Sequence, residues 1–293
     1  MIVVTAPTSQ IGSKVLEGLL ATDADVRVVV RDAAKLSEGV RQRVQVVEGS
    51  HGDPAVIERA FSRADAVFWL VPPDATKTLD QAYLDFTRPA AEALRWNAVP
   101  RSVSVTAIGR GTPWHGRAGP VSTSLQADEL LMESGAAFRG LAMPSFMENT
   151  ARQAGVIREQ GMFFGPIDPD KKLPFTATAD IAVAAVRLLE DASWSGCADI
   201  PVLGPEDLSF NNQAAIMSEV LGRDIRYQQI SYEQFRQGFI DRGATASFAT
   251  GYAEMYRAKD EGIDNTASRA TGNVGATSFR LFSEQVMRPL IAR

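Results

Sequence analysis

A short loop near the start of the chain has the residues to hold a phosphate group. The loop, residues 6–12 with the sequence APTSQIG, follows the β-branched run Ile2–Thr5 and precedes residues 13–21, where valines and leucines recur at helical spacing. A second apolar run, 26–30, ends in Arg31. The segment therefore predicts a β-α-β unit, and the free N–H groups at the start of its helix favour an anion.

The phosphate-binding turn of dinucleotide folds usually has glycines at three positions spaced by three, and here they are Ala6, Ser9 and Gly12. Only the third is glycine, and the Ser9 side chain is expected to crowd an approaching phosphate. Arg31 ends the second strand, where a planar guanidinium suits the 2′-phosphate of NADP. The alternative is an ordinary β-α turn with a solvated arginine.

Two further features point to the same edge of a sheet. Asp53 precedes a predicted helix, 54–63, and can cap it, although an acidic residue here in this fold class also reaches the adenine amino group. Pro72-Pro73 ends the strand predicted within 64–71, because proline cannot continue the hydrogen-bond ladder. Ligands of open α/β sheets bind at such carboxyl ends of strands.

The next strand leads into a glycine-rich loop, 107–116, which we interpret as a candidate substrate lid. Thr106, His115 and Ser124 are candidates for supplying a proton or orienting a substrate. For His115 the alternative is an ordinary solvated surface group. Four apolar side chains are candidates for an aromatic pocket or, equally, for core packing: Trp114, Phe146, Met147 and Phe164.

Strands alternate with helices as far as residue 143, which predicts an α/β fold with a doubly wound parallel Rossmann sheet. A smaller, mainly helical C-terminal domain is expected to follow. We predict a dinucleotide-binding domain at 1–150 and a substrate-side domain at 151–293. Segment 179–203 is a candidate for returning to the first domain.

Beyond the sixth strand the pattern changes. Residues 161–178 contain three prolines and are predicted to be turn-rich, and Asp180 is predicted to cap a helix over 181–189. Residues 225–230 are the last predicted strand, among the helices 211–221, 232–241 and 245–258.

The composition is that of an ordinary globular protein, with 45% hydrophobic and 22% charged residues. A formal net charge of −5 argues against nucleic acid as the main partner. Two histidines and one cysteine, Cys197, are too few for a usual zinc site, so no metal is expected. No apolar stretch approaches the length of a membrane span, and the first strand starts at the N-terminus, so a cytoplasmic location is expected.

The whole chain resembles the NmrA-like family, an atypical branch of the short-chain dehydrogenase/reductases. That branch includes quinone oxidoreductases, triphenylmethane reductases and azoreductases, together with regulators that bind dinucleotide without evident turnover. The resemblance is carried by the order and spacing of several segments: Val4-Thr5 with Gly12, Val30-Arg31-Asp32, Gly52-Asp53, residues 68–72, Ser134-Gly135, residues 144–149, Pro174-Phe175-Thr176, Asp180-Ile181-Ala182, Thr271-Gly272 and Thr277-Ser278-Phe279.

The resemblance implies NADPH as cofactor and assigns its contacts. Arg31 would lie at the 2′-phosphate and Asp53 at the adenine. The pyrophosphate would be lined by Thr5, Pro7, Thr8, Ser9, Gln10 and Ile11, and the ribose and nicotinamide would be flanked by Leu70, Val71 and Pro72.

Two departures from the family pattern bear on catalysis. The family usually presents a lysine or histidine four residues before an acidic residue on the helix after the fifth strand, and here these positions are Ser124 and Asp128. None of the five tyrosines has a lysine four residues later, so reduction of a carbonyl by a Tyr-x-x-x-Lys pair is excluded.

Two functions remain open. The first is an NADPH-dependent oxidoreductase that transfers hydride to a small quinone-like, azo or other conjugated acceptor, where position matters most and water or a weak acid supplies the proton. The second is a non-catalytic NAD(P)-sensing regulator that binds a protein partner, which Ser124 favours. A homodimer is compatible with either.

Overall fold

An eight-stranded sheet forms the centre of the protein in the computed structural model, which describes residues 1–292. The strands run parallel in the order β13-β10-β6-β5-β4-β1-β2-β3. Their bounds are β1 Ile2–Thr5, β2 Val26–Val30, β3 Gln45–Glu48, β4 Ala66–Trp69, β5 Arg101–Ala107, β6 Ala137–Met143, β10 Cys197–Leu203 and β13 Asn273–Val274. The strand order reverses between β1 and β4, which places the switch point of the sheet directly beyond Thr5.

Two small sheets lie in the C-terminal part of the chain. One has the order β11-β9-β7 and the other pairs β12 with β8. Their strands are β7 Ser145–Phe146, β8 Met162–Gly165, β9 Leu173–Thr176, β11 Asp207–Leu208 and β12 Arg226–Gln229.

The helices cover both faces of the main sheet and build most of the C-terminal part. Their bounds are α1 Gly12–Leu20, α2 Glu38–Arg41, α3 Pro54–Phe61, α4 Leu79–Trp96, α5 Pro120–Met132, α6 Glu148–Ala151, α7 Ala154–Gln160, α8 Thr178–Glu190, α9 Phe210–Leu221, α10 Tyr232–Asp241, α11 Ala246–Glu261, α12 Phe279–Phe282 and α13 Arg288–Ile291. None of the helices within residues 1–292 combines the length and hydropathy needed to cross a membrane.

The three largest hydrophobic clusters hold these layers together. On one face of the sheet, Leu16 of α1 and Ile181 of α8 pack against the strands. On the other face, Phe61 of α3 and Leu94 of α4 do the same. A third core, which includes Phe163, joins the small sheets to the C-terminal helices. The predicted doubly wound Rossmann sheet with a smaller C-terminal part is confirmed.

Strand β10 lies in the second half of the chain but pairs with β6 in the main sheet. The segment 179–203 therefore returns to the sheet through α8 and β10. The division at residue 150 remains a prediction about how the chain folds in units.

Residues 161–178, predicted to be turn-rich, also contain two short strands. These are β8 and β9, and β8 pairs in parallel with β12, the strand predicted at 225–230. Of the three prolines only Pro174 lies within a strand, β9, while Pro166 directly follows β8.

Asp180 is not the cap of its helix. Helix α8 already begins at Thr178, and the residue before it makes no side-chain cap hydrogen bond. The Asp180 carboxylate instead accepts hydrogen bonds from the backbone N–H of Thr277 at 3.2 Å and from its hydroxyl at 3.0 Å. This residue therefore joins the first turn of α8 to the C-terminal tail.

Candidate active site

The loop after β1 is folded tightly enough to require glycine at one position. A Cβ added at Gly12 would lie 2.1 Å from the carbonyl oxygen of Ala6, which is far inside contact distance. Ala6 itself has a φ of +48°, in the left-handed region that glycine adopts most easily. The loop thus keeps the turn geometry of a dinucleotide fold although its first glycine is replaced by alanine.

Ser9 does not point its side chain outward. Its Oγ accepts a hydrogen bond from the backbone N–H of Gly12 at 3.0 Å, so the hydroxyl closes the loop on itself. The N–H groups of Thr8, Gln10 and Ile11 find no acceptor among residues 1–292. These free donors lie in the loop that leads into α1, where they are available to an anion.

The structure shows the hydrogen bonds and exposure of three residues that were predicted to contact the cofactor, Thr5, Arg31 and Asp53. Thr5 is fully buried, and its hydroxyl donates to Phe68 O at 2.9 Å and accepts from Leu70 N at 3.0 Å. Thr5 therefore joins the end of β1 to the end of β4 and fixes these two strands at the carboxyl edge of the sheet. Arg31 is exposed, with no hydrogen bond or ion pair among residues 1–292, and Asp53 caps α3 by accepting from the backbone N–H of Ala55 at 2.9 Å.

His51 makes a further hydrogen bond at the end of β4, on the same carboxyl edge of the sheet. Its Nε2 lies 3.0 Å from Leu70 O, and its ring packs edge-on against Trp69 and Phe86. Burial lowers the pKa of His51 to about 4, so the ring is neutral at neutral pH and its Nε2–H donates to the carbonyl. The sequence showed this histidine only as an unlikely zinc ligand.

A cleft of about 1120 Å³ begins at the loop and runs between the sheet and the C-terminal helices. Ser9, Gln10 and Ile11 line one end, followed by the predicted nicotinamide neighbours Leu70, Val71 and Pro72. A volume of this size exceeds that of most small-molecule sites. It can accommodate the end of a dinucleotide together with a second flat molecule.

The far wall of the cleft is aromatic. Phe146 and Phe164 contribute from the β7 and β8 region, as the sequence suggested, whereas Met147 is in the core and Trp114 donates to Glu261 Oε2 at 2.7 Å. The other aromatic residues of the lining are Tyr83 and five from the last long helices: Phe235, Phe239, Phe248, Tyr252 and Tyr256.

Thr106 and Ser124 both line the cleft, and a buried carboxylate lies behind them. Asp128, one helical turn after Ser124 on α5, is 2% exposed and accepts a hydrogen bond from Ser104 Oγ at 2.9 Å. Burial raises the pKa of Asp128 to about 7, outweighing the hydroxyls of Thr106 and Ser104, which lower it. A protonated carboxyl group is therefore available near neutral pH.

His115 is placed away from the cleft. It is not part of the lining, and its Nε2 lies 3.7 Å from Glu129 Oε1. The surrounding loop is held down by Arg110, which donates to Asp199 Oδ2 at 2.8 Å and to Glu129 Oε1 at 3.2 Å. Only Ala107 of the segment 107–116 lines the cleft, so the structure does not place this segment over the cleft, and its interpretation as a lid stays a prediction.

The helices α10 and α11 form the wall that the sequence analysis missed. Their cleft-facing residues recur at helical spacing, three, four or seven apart, but each helix alone reads as an ordinary amphipathic element. The contributing residues are Gln234, Phe235, Gly238, Phe239 and Arg242 from α10, and Phe248, Tyr252, Met255, Tyr256 and Lys259 from α11. Arg152, which follows α6, is a further residue that sequence reasoning did not single out.

Two family profiles match the chain and overlap. A profile described as NAD(P)H-binding covers residues 7–192, and the profile of the NmrA-like family covers residues 132–280, about half the chain. The chain belongs to the NmrA-like family. The profile for NAD(P)H binding covers the β-α-β segments of its Rossmann sheet from α1 to α8.

Curated relatives of this NmrA-like protein are similar over most of its length. An NAD(P)H azoreductase of Xenophilus azovorans is 30% identical over 284 residues, covering 94% of this chain and 95% of the relative. A (4-alkanoyl-5-oxo-2,5-dihydrofuran-3-yl)methyl phosphate reductase of Streptomyces griseus is 31% identical over 243 residues, covering 82% and 80%.

Among solved structures, an NADPH-dependent quinone oxidoreductase of Escherichia coli in complex with NADPH has a TM-score of 0.78. It is 21% identical and the match covers 97% of this chain and 98% of that one. At this identity the likeness establishes the shared fold.

Proposed function

We propose that this protein is an NADPH-dependent reductase that transfers hydride to a quinone-like, azo or other conjugated acceptor. The observation that carries the proposal is the continuity of the cleft: the residues of the phosphate-type loop and the aromatic wall line one space. The curated relatives support the reaction class, since one is an azoreductase and the other reduces a butenolide phosphate.

The residues present fit the cofactor. Gly12 permits the tight turn, and the free N–H groups of Gln10 and Ile11 suit a pyrophosphate. Arg31 is exposed and unpaired among residues 1–292, follows the neighbouring strand β2 and would take the 2′-phosphate, so NADPH is preferred over NADH. When bound, the dinucleotide supplies the hydride.

The chain's own contribution to the reaction is position, exclusion of water and a proton. Leu70, Val71 and Pro72 would hold the nicotinamide ring at one side of the acceptor. Each hydride delivered to an azo bond or quinone requires one proton to complete the reduction. Asp128 would supply it through the hydroxyl of Thr106, and Ser124 would orient the acceptor.

A panel of acceptors tests this function. We expect NADPH consumption, followed by the near-ultraviolet absorbance of the reduced nicotinamide, with at least one of a quinone, an azo dye and a triphenylmethane dye. The variant that tests the proton path is Thr106→Val, which keeps the shape of the side chain and removes the hydroxyl. We expect it to lower kcat by about 10²-fold or more. Tight NADPH binding with no turnover of any acceptor would contradict the reductase and favour the dinucleotide-sensing regulator.

A further inference from the structure

The charged residues that line the cleft are all cations. They are Arg152, Arg242 and Lys259, and none of the carboxylates in the described part of the chain reaches the lining. This sign is opposite to that of the whole protein, which has 35 acidic and 30 basic residues. The cleft is therefore electrostatically distinct from the surface around it.

Lys259 does not contribute net charge to the cleft. It is 5% exposed, and its Nζ lies 2.7 Å from Oδ2 of Asp264, which is fully buried. Such a pair is neutral as a unit and fixed in place. It forms a polar patch among the aromatic residues of α11.

The two arginines are different, because both are exposed and neither forms an ion pair among residues 1–292. The Arg242 guanidinium lies 5.1 Å from the ring centroid of Phe239, and a Cβ added at Gly238 would lie 3.5 Å from its Nη1. A glycine at that position therefore leaves room for the guanidinium close to the helix surface, where Arg242 lines the cleft.

Arg152 lines the same cleft and acts on two residues of α11. Burial raises the pKa of both Tyr252 and Tyr256, and the positive charge of Arg152 acts in the other direction on each. The positive charge of Arg152 therefore contributes to the electrostatic potential at the part of the cleft that Tyr252 and Tyr256 line. Two unpaired cations at the rim and aromatic rings within it match a molecule that is flat and apolar at one end and anionic at the other.

We propose that the cleft selects conjugated acceptors that carry an anionic substituent such as a sulfonate, carboxylate or phosphate. The anion binds between Arg152 and Arg242, and the conjugated body lies against Phe239 and Tyr252. This inference rests on the reductase function proposed above and specifies its substrate class. The position of the anion also determines the orientation of the acceptor. An acceptor bound by its anionic group at the two arginines extends its reducible bond toward the nicotinamide end of the cleft.

Three acceptors of the same shape test the inference: hydroxyazobenzene and its derivatives with a sulfonate or a trimethylammonium group on the far ring. For the NADPH-loaded protein we expect kcat/KM to be highest for the sulfonate, at least tenfold above the neutral dye, and lowest for the cation. The advantage is expected in KM rather than in kcat. Equal values for the sulfonate and the neutral dye overturn the inference while leaving the reductase function intact.

Variants locate the effect. In Arg152→Gln and Arg242→Gln we expect the ratio of kcat/KM for the sulfonate to that for the neutral dye to fall about tenfold each, and further in the double variant. Arg226→Gln is the matched control, because this arginine is 72% exposed and outside the cleft. A ratio that does not change in either cleft variant overturns the inference.

A binding experiment keeps the test independent of turnover. Naphthalenesulfonate, which cannot be reduced, is titrated calorimetrically into the NADPH-loaded protein beside the neutral naphthylmethanol. Preferential binding of the sulfonate, lost in the Arg152/Arg242 double variant, supports the anion site even where no dye is reduced. Equal or absent binding of both compounds overturns it.

Discussion

Gly12 and Ala6 show that the cofactor loop depends on backbone geometry more than on the number of its glycines. Gly12→Ala places a methyl group against the Ala6 carbonyl, so we expect a loss of about 1–3 kcal/mol in stability and weaker NADPH binding. Gly39→Ala is the control, since nothing lies within 4 Å of its added Cβ. Urea unfolding and calorimetric titration measure both effects, and unchanged NADPH affinity in Gly12→Ala would contradict the role of the loop.

Arg31 separates the two nicotinamide cofactors. An arginine-phosphate hydrogen bond contributes about 1.5–3 kcal/mol, so Arg31→Ala is expected to weaken NADPH binding about 10- to 150-fold and NADH binding much less. Arg41→Ala, another exposed arginine, which lies on α2, is the control. An equal loss for NADPH and NADH would remove Arg31 from the 2′-phosphate site.

Asp128 gives the protein a pH dependence whose sign follows from its raised pKa. Its pKa is about 7 in the folded protein against 3.8 ordinarily, so the folded state binds the extra proton between these values. The stabilising effect of that proton is complete below about pH 4 and is lost as the pH rises through about 7.

The corresponding experiment compares the wild type with Asp128→Asn by urea unfolding at several pH values. We expect the stability of the wild type relative to the variant to decline between about pH 4 and 8. The kcat of the wild type should fall above about pH 7, and the variant should lose that inflection. Parallel pH profiles for the two proteins would refute Asp128 as the proton source.

The sequence alone was sufficient to predict the position of individual residues at the cleft where these residues closely follow a strand. Ser9, Gln10, Leu70 and Pro72 could be placed because parallel strands end at one edge of a sheet. The unusual pKa of Asp128 could not be predicted, because it comes from burial, which depends on residues far apart in the chain.

Helices α10 and α11 are the elements on which the acceptor side of the cleft depends. Thr245 caps α11 by accepting from Phe248 N at 3.1 Å, and its hydroxyl donates to Lys77 O at 2.9 Å. The same residue thus joins the wall to the loop before α4.

Thr245→Ala removes both hydrogen bonds, and we expect a loss of about 0.5–2 kcal/mol in stability together with a higher KM for the acceptor. Thr245→Ser keeps the hydroxyl and is expected to retain most of the wild-type behaviour. Thermal unfolding and steady-state kinetics are the measurements. An unchanged acceptor KM in Thr245→Ala would show that the wall does not depend on this connection.

Elements of the sheet were predictable and those of the C-terminal part only in outline. The strands β1 and β2 are runs of largely β-branched residues and β4 is wholly apolar, which leaves little alternative. The strands β8 and β9 are short and contain or precede prolines, so their pairing is decided by tertiary contacts. The role of Asp180 was missed for the same reason, since its partner Thr277 is 97 residues away.

The whole molecule consists of a Rossmann sheet and a C-terminal helical wall, and the chain of the C-terminal half contributes two strands, β10 and β13, to the sheet. Because β10 and β13 come from the C-terminal half and lie in the main sheet, unfolding either part exposes the other. A ligand that binds at the loop is therefore expected to stabilise the entire chain. Sequence alone predicted the two parts, but the cleft between them required the packing of α10 and α11.

Thermal unfolding with and without dinucleotide tests the central claim that the loop after β1 binds a phosphorylated nicotinamide cofactor. At NADPH concentrations about 100 times Kd, binding adds about 2.7 kcal/mol, which raises Tm by roughly 4–5 °C in a chain of this size. NADH at the same concentration should raise Tm less. A Tm that neither NADPH nor NADH changes would contradict the account of the loop, the cleft and the reaction together.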